Sequence, residues 1–257
     1  MPAPTDRAEE VGEQEELTGQ MSFFDHLEEL RKRILYSLIA VSVALVACLY
    51  FAYDIYDLFA RLIPPEANLN ASALTSGFSI LLKTAFLASI FLAAPFILAQ
   101  VWLFISPGLY RHERRYVVPF IFFSTILFLL GGLFAYFYAV PFGIKALIEI
   151  NTSMKLTNIL TVADAFNLVF ALTLGLGVVF EIPAVIFLLS RLGLVTGSFL
   201  LKHTKYAVLL CFVAAAIITP SGDIANMMVI AIPMIALYML GIVVAFIFGK
   251  KRKKDNE

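Results

Sequence analysis

Six stretches of the chain are almost purely apolar, and short polar segments separate them: Ile34–Tyr53, Phe78–Phe104, Tyr116–Tyr138, Ala165–Leu189, Tyr206–Ile218 and Ile224–Phe248. A helix needs about 20 mostly apolar residues to cross hydrocarbon, and the first, third, fourth and sixth stretches meet that length. The second carries Lys83 and Gln100 but is apolar between them. The fifth holds 13 residues. At about 1.5 Å each these reach near 20 Å, short of a hydrocarbon core of about 30 Å. Such a helix thins the bilayer or packs behind others. Thr219-Pro220-Ser221-Gly222-Asp223 follows it, a turn by composition, so the last two stretches read as a tight hairpin. Pro233 is expected to kink or shorten the sixth stretch. The pattern predicts an all-α polytopic membrane protein with six transmembrane helices.

Composition agrees, because 61% of residues are apolar and only 15% charged, against roughly 45–50% and roughly 25% in soluble domains. Lipid must take the excess. Basic and acidic residues cancel at 19 each, so net charge points to no partner, but their distribution sets orientation. Arg31, Lys32, Arg33, Arg111, Arg114, Arg115, Arg191, Lys202, Lys205 and the run Lys250–Lys254 fall on one side. Arg61, Lys83, Lys145 and Lys155 fall on the other, fourteen against four. Basic loops stay cytoplasmic. Both termini, the 105–115 loop and the 190–205 loop are therefore expected in the cytoplasm, with the 54–77 loop, the 139–164 loop and the 219–223 turn outside.

The start of the chain is acidic (Glu9, Glu10, Glu13, Glu15, Glu16) and its first apolar run waits until Ile34, unlike a cleavable secretory signal. Residues 1–20 are expected to form a flexible acidic cytoplasmic tail, 21–249 the membrane domain and 250–257 a basic cytoplasmic tail. Cys48 and Cys211 lie inside apolar runs and read as buried, inert thiols. His26, His112 and His203 lack metal-ligand spacing, and no Gly-rich phosphate loop occurs. No enzyme activity, cofactor, metal or nucleic-acid partner is expected. Gly131-Gly132 and Gly175-Leu176-Gly177 lie within spans, where small residues allow close helix packing.

Against this background three polar features stand out. The first is Ser22-Phe-Phe-Asp25-His-Leu-Glu28-Glu29-Leu-Arg31-Lys32-Arg33. Ser22 and Asp25 resemble a helix-starting capping box. Glu28 with Lys32 and Glu29 with Arg33 are four apart with the acid first, the stabilising order. This is an amphipathic helix feeding the first span. The second is Glu113, an acid set among Arg111, His112, Arg114 and Arg115. The third is Glu181, well inside the fourth stretch and two residues before Pro183. A carboxylate at membrane depth costs several kcal/mol unless it is neutral, paired or facing water. Pro183 frees a backbone carbonyl one turn earlier, so a kink and a polar pocket coincide there. Lys83 is a possible partner, and snorkelling to the outer interface is its other reading.

At these residues the chain resembles the TatC family, the multispanning subunit of the twin-arginine protein translocase. The resemblance runs from about Phe23 to Phe248. It is carried by His26-Leu-Glu-Glu-Leu-Arg-Lys-Arg33, Gln100-Val-Trp102, Pro107-Gly-Leu-Tyr-Arg-His-Glu-Arg-Arg115, Phe134-Ala-Tyr136, Phe180-Glu-Ile-Pro183 and Ala231-Ile-Pro233, in that order. It implies a glove-like six-helix bundle in the inner membrane of a prokaryote. Such a protein binds the twin-arginine signal peptides of folded export substrates. It works in a multimeric complex with small single-span subunits of the TatA and TatB type, and draws on the proton-motive force. Carried over, the site for the paired arginines falls on Glu29 and Glu113, with Leu30, Arg31, Phe104, Arg111 and Arg115 around them. The family's intramembrane glutamate falls on Glu181 and its outer-turn aspartate on Asp223. The chain departs from the family at Leu74–Ser79, where a proline and an acid are usual, and by one extra residue in the turn before the sixth stretch.

The residues suit that role, since a guanidinium fork matches a carboxylate bidentately and lysine does not. The apolar part of a signal would then run along a lipid-facing groove towards Glu181. Two other readings stay open on the residues alone. A proton-coupled solute transporter would use Glu181 but not the cytoplasmic acids. A structural scaffold for other membrane subunits would tolerate neutral residues at positions 29 and 113.

Overall fold

The computed structural model describes residues 23–63, 68–70, 75–105, 117–154, 159–218 and 224–249. Ser22, the 106–116 segment with Glu113, Arg111 and Arg115, and the 219–223 turn with Asp223 lie outside the described residues.

The amphipathic segment and the first apolar stretch form one uninterrupted helix, α1 (Phe23–Tyr50). No proline or glycine falls inside it, so nothing stops the hydrogen-bond ladder where the polar residues give way to apolar ones. A second helix, α2 (Ala52–Ala60), follows almost at once. The segment from 54 onward, expected as a loop, therefore begins as a helix. The second apolar stretch is α3 (Ser76–Ile105), which carries Pro95 within it.

The third stretch runs further than its apolar pattern indicated. α4 (Val117–Phe134) passes through a wider π turn at Ala135–Ala139 into α5 (Val140–Ser153). The sequence reading ended this span at Tyr138 and opened a loop at residue 139. The structure corrects both boundaries. In the π turn the Val140 N–H donates to the Ala135 carbonyl, five residues back. That shift passes the chain to Pro141, near the start of α5, where a missing N–H is tolerated.

The fourth stretch is divided instead of continuous. α6 (Val162–Val179) ends, Phe180 and Glu181 form a turn, and α7 (Ile182–Arg191) begins with Pro183 in its first turn. Proline has no N–H for the Val179 carbonyl four residues back, so the ladder stops here. Gly193, at φ 74°, closes α7 in the left-handed conformation that favours glycine. The expected 190–205 loop contains a further short helix, α8 (Gly197–Lys202), capped by the Thr196 hydroxyl. α9 (Thr204–Ile218) and α10 (Ile224–Phe248) complete the chain, and α10 stays helical through Pro233.

Among the described residues the regular structure is thus helical except for two three-residue strands, β1 (Asn68–Asn70) and β2 (Ile159–Thr161). They pair in parallel with Asn68 opposite Ile159. Five helical segments among the described residues are long and apolar enough to cross a membrane, and Thr204–Ile217 is a shorter apolar helix.

Packing centres on α6, whose Val169, Leu172 and Leu176 are almost fully buried against Val140 and Ile144 of α5. Cys211 and Ala215 of α9 and Met234 of α10 join that core. Gly131 explains the closest approach: a Cβ there would lie 2.6 Å from the Leu176 carbonyl oxygen and 2.8 Å from the Gly177 Cα. The two helix backbones touch because neither position has a side chain. α1, in contrast, leans mainly on α3 and leaves Leu38, Val43 and Val46 exposed. Apolar side chains on an outward face are what a helix turned to lipid carries. At the far end α2 is clamped by Tyr136, whose hydroxyl donates to the Leu58 carbonyl at 2.9 Å, and by stacking of Tyr56 on Phe166.

Candidate functional site

Glu29, Leu30 and Arg33 share one face of α1, because residues three and four apart are neighbours on a helix. That face meets the last turns of α3. Arg33 forks between two acceptors: Nη2 donates to Glu29 Oε1 at 3.0 Å and Nη1 to Gln100 Oε1 at 3.0 Å. The pair is well covered, with the Glu29 side chain 17% exposed and that of Arg33 26% exposed. The second carboxylate oxygen, Glu29 Oε2, is buried and has no hydrogen-bond partner among the described residues. A buried carboxylate oxygen in that state is an acceptor still to be satisfied. Beside it Phe104 stacks on the His26 ring, centroids 4.3 Å apart.

Two hollows meet at Arg33. A polar recess of about 440 Å³ is lined by Asp25, Glu28, Glu29, Lys32, Arg33 and Tyr36. An apolar groove of about 450 Å³ runs from Phe104 and Leu30 past Ile34, Val41 and Ile97 to Phe86, between α1 and α3. A charged pocket opening into an apolar trough suits a ligand whose cation precedes an apolar segment. The neighbouring Glu28–Lys32 pair, at 2.9 Å, is a different case, since both side chains are more than 60% exposed. There the hydrogen bond and charge of Lys32 hold the Glu28 carboxyl below its ordinary value and raise that of the lysine. Both precede the apolar run that begins at Ile34.

Glu29, Leu30 and Phe104 are therefore brought together. Arg31 is not, because it is exposed and lines neither hollow. The sequence assigns Arg33 to helix pairing, the cytoplasmic charge bias and a family motif, and Gln100 to a motif and the polar positions of the second span, but neither to the site. Both belong to the site, and a glutamine within an apolar helix was the signal for it.

Glu181 sits apart. It is the residue preceding α7, yet its carboxylate makes no hydrogen bond to that helix's N-terminus. It reaches across to α4, where the Ser124 hydroxyl donates to Oε2. The indole Nε1 of Trp102, on α3, lies 3.4 Å from the same hydroxyl. Oε1 is buried without a partner among the described residues. Lys83 is not the partner, since its Nζ donates to Asn167 Oδ1 at 2.7 Å on an exposed face. The apolar groove does not lead to Glu181 either, because Glu181 is not among its lining residues. Gln100 faces the groove while Trp102, two positions on, packs with Phe120, Leu127, Ala184 and Phe187. Two residues on a helix are about 200° apart, so α3 stands between groove and carboxyl. Among the described residues no cluster of metal-ligating side chains occurs.

Comparison with known proteins gives this geometry a family. The sequence model of the family described as TatC, Sec-independent protein translocase protein, matches residues 25–233. The chain is 42% identical to the Sec-independent protein translocase protein TatC of Koribacter versatilis, over 100% of this chain and 97% of that protein. It is 38% identical to the TatC protein of Escherichia coli K12, over 90% of this chain and 91% of that protein. Among solved structures it resembles crystal structures of the twin-arginine translocase receptor TatC. One has a TM-score of 0.74, and one in DDM has 0.77. Both are 35% identical and cover 86% of this chain, and 97% and 99% of theirs. With the match running through both the Glu29 helix and the Glu181 break, this chain belongs to the TatC family of Sec-independent protein translocase proteins.

Proposed function

We propose that this protein is the signal-peptide receptor and core subunit of a twin-arginine translocase, exporting folded proteins with energy from the proton-motive force. It sits in the inner membrane of a prokaryote with both termini in the cytoplasm, and the short α9 is the fifth of its six spans. Small single-span subunits of the TatA and TatB type complete a multimeric complex. The observation that carries this reading is Glu29 Oε2, a buried carboxylate oxygen without a partner among the described residues, where a polar recess opens into an apolar groove.

One signal arginine takes Glu29, whose other oxygen is already held by Arg33, and the second takes Glu113. Leu30, Phe104, Arg111 and Arg115 surround them, with Arg31 outside both hollows. The apolar part of the signal lies in the groove between α1 and α3. Glu181 and Asp223 act after recognition, during deeper insertion or export. Guanidinium is selected over ammonium because its planar fork presents donors in fixed directions to a carboxylate oxygen and its neighbours, whereas lysine offers a point charge.

The test is photo-crosslinking of the membrane-embedded protein, with probes at positions flanking Glu29 and Glu113, to a signal peptide bearing Arg-Arg or Lys-Lys. Crosslinks that form with Arg-Arg and are lost with Lys-Lys support the receptor. Equal or absent crosslinking removes it.

A further inference from the structure

Recognition as proposed above uses one face of the last turns of α3. The opposite face carries a second polar arrangement that no part of that mechanism employs. Ser124 is fully buried in α4, and Trp102 of α3 is 6% exposed. Indole Nε1 faces the Ser124 hydroxyl at 3.4 Å, and the hydroxyl donates to Glu181 Oε2. Trp102 is the only tryptophan of the chain. Three elements, α3, α4 and the α6–α7 turn, thus meet in one chain of donors that ends on the carboxyl.

Each link has a physical reason. A tryptophan in an apolar cluster still needs an acceptor for its N–H, and a serine hydroxyl accepts from one neighbour while donating to another. Glu181 precedes α7 with helical backbone angles (φ −74°, ψ −8°) and makes no side-chain bond to that helix's first turn, so its carboxyl is left to find a partner on another helix. The only hydrogen-bond partner it has among the described residues is Ser124. Bonds in such a series polarise one another in low-dielectric surroundings.

We propose that Ser124 is a positioning residue for Glu181, with Trp102 fixing the direction of the serine hydroxyl. Ser124 holds the carboxyl towards α4. In doing so it ties the interrupted fourth span to the helix whose other face, at Gln100 and Phe104, forms the recognition site. The part of this that concerns export rests on the receptor reading, while the positioning itself does not.

A double-mutant cycle on the full-length protein in membranes, with two readouts, tests it. In export assays with the complete translocase, Ser124→Ala lowers transport roughly tenfold, about the effect of one hydrogen bond to a carboxyl group. Glu181→Ala does the same, and the double variant is no worse than either, because both act through one contact. Arg-Arg crosslinking near Glu29 stays as in the parent protein in all three, which also shows that they are inserted and folded. The second readout is Trp102 emission from purified protein. Ser124→Ala moves it to shorter wavelength by removing the indole's acceptor. Glu181→Ala also shifts it, one link further away, and their combination adds nothing beyond Ser124→Ala. Additive export losses, or an emission unmoved by Glu181→Ala, overturn the proposal. Failure of Arg-Arg crosslinking in the parent protein, with the emission cycle intact, removes the receptor reading and leaves the positioning role standing.

Discussion

Glu29 and Glu181 are alike on paper and opposite in setting. Each has one oxygen in a hydrogen bond and one buried oxygen without a partner among the described residues. Glu29 is held by a cation, Arg33, which is itself shared with Gln100. Glu181 is held by a neutral hydroxyl, and Lys83, about 28 Å along α3 from Trp102, bonds Asn167. At the membrane edge a carboxylate keeps its charge cheaply, because water and a nearby guanidinium stabilise it. Inside the apolar bundle a charged group is costly, so a neutral donor is the economical partner. The first site offers a second guanidinium the oxygen that Arg33 leaves free, and the second holds a direction.

The contrast can be broken by substitution, and the largest effect is expected at the edge. Glu29→Ala combined with Glu113→Ala removes both proposed acceptors. It should weaken binding of an Arg-Arg signal peptide about a hundredfold, at about tenfold for each charged hydrogen bond lost. Titration of labelled peptide into membranes checks this, and binding within threefold of the parent would end the carboxylate-clamp idea. Next, Glu181→Ala should lower export about tenfold while peptide affinity is unchanged. Normal export would reduce Glu181 to a packing element.

Replacement by glutamine sharpens the comparison. Glu29→Gln keeps shape but loses charge, so it should resemble Glu29→Ala, with peptide binding down about tenfold. Glu181→Gln keeps an acceptor for Ser124 and should export within about twofold of the parent. Equal sensitivity at both positions would mean that the two sites do not differ in the way the geometry suggests. A smaller effect is expected for Arg33→Lys, which cannot reach Glu29 and Gln100 together. Peptide affinity should change by about two- to threefold. Smallest of all is Glu28→Ala. Its pair with Lys32 is exposed to water, so neither binding nor thermal stability should change measurably.

Much of this protein was legible before its fold was known, and the failures are as instructive as the successes. The i,i+4 pairs Glu28–Lys32 and Glu29–Arg33 form as spaced, since local helical geometry alone sets them. Cys48 and Cys211 are buried and free, and Gly131 meets Gly177 at a close helix contact. The apolar pattern ends the third span at Tyr138, whereas a π turn at 135–139 carries the helix on to Ser153. The fourth span was drawn through Glu181 with only a kink, whereas the helix stops and restarts there. Lys83 reads from the sequence as a possible partner for Glu181 or as a snorkelling cation. Its place about 28 Å along α3 from Trp102 rules out the first, and it bonds Asn167 on an exposed face.

The sequence by itself determined the solvent, the apolar stretches and the charge bias between their ends. It also determined which few polar residues had to be explained. These depend on hydrophobicity summed over about 20 residues and on spacing within one helix. Only the tertiary structure decided what each polar residue faces. Arg33 joins Gln100 across 67 positions, and Ser124 joins Glu181 across 57. Pairings at that range follow from helix rotation and contact. A rotation of one residue, about 100° around a helix, would replace every partner while leaving the apolar pattern almost unchanged.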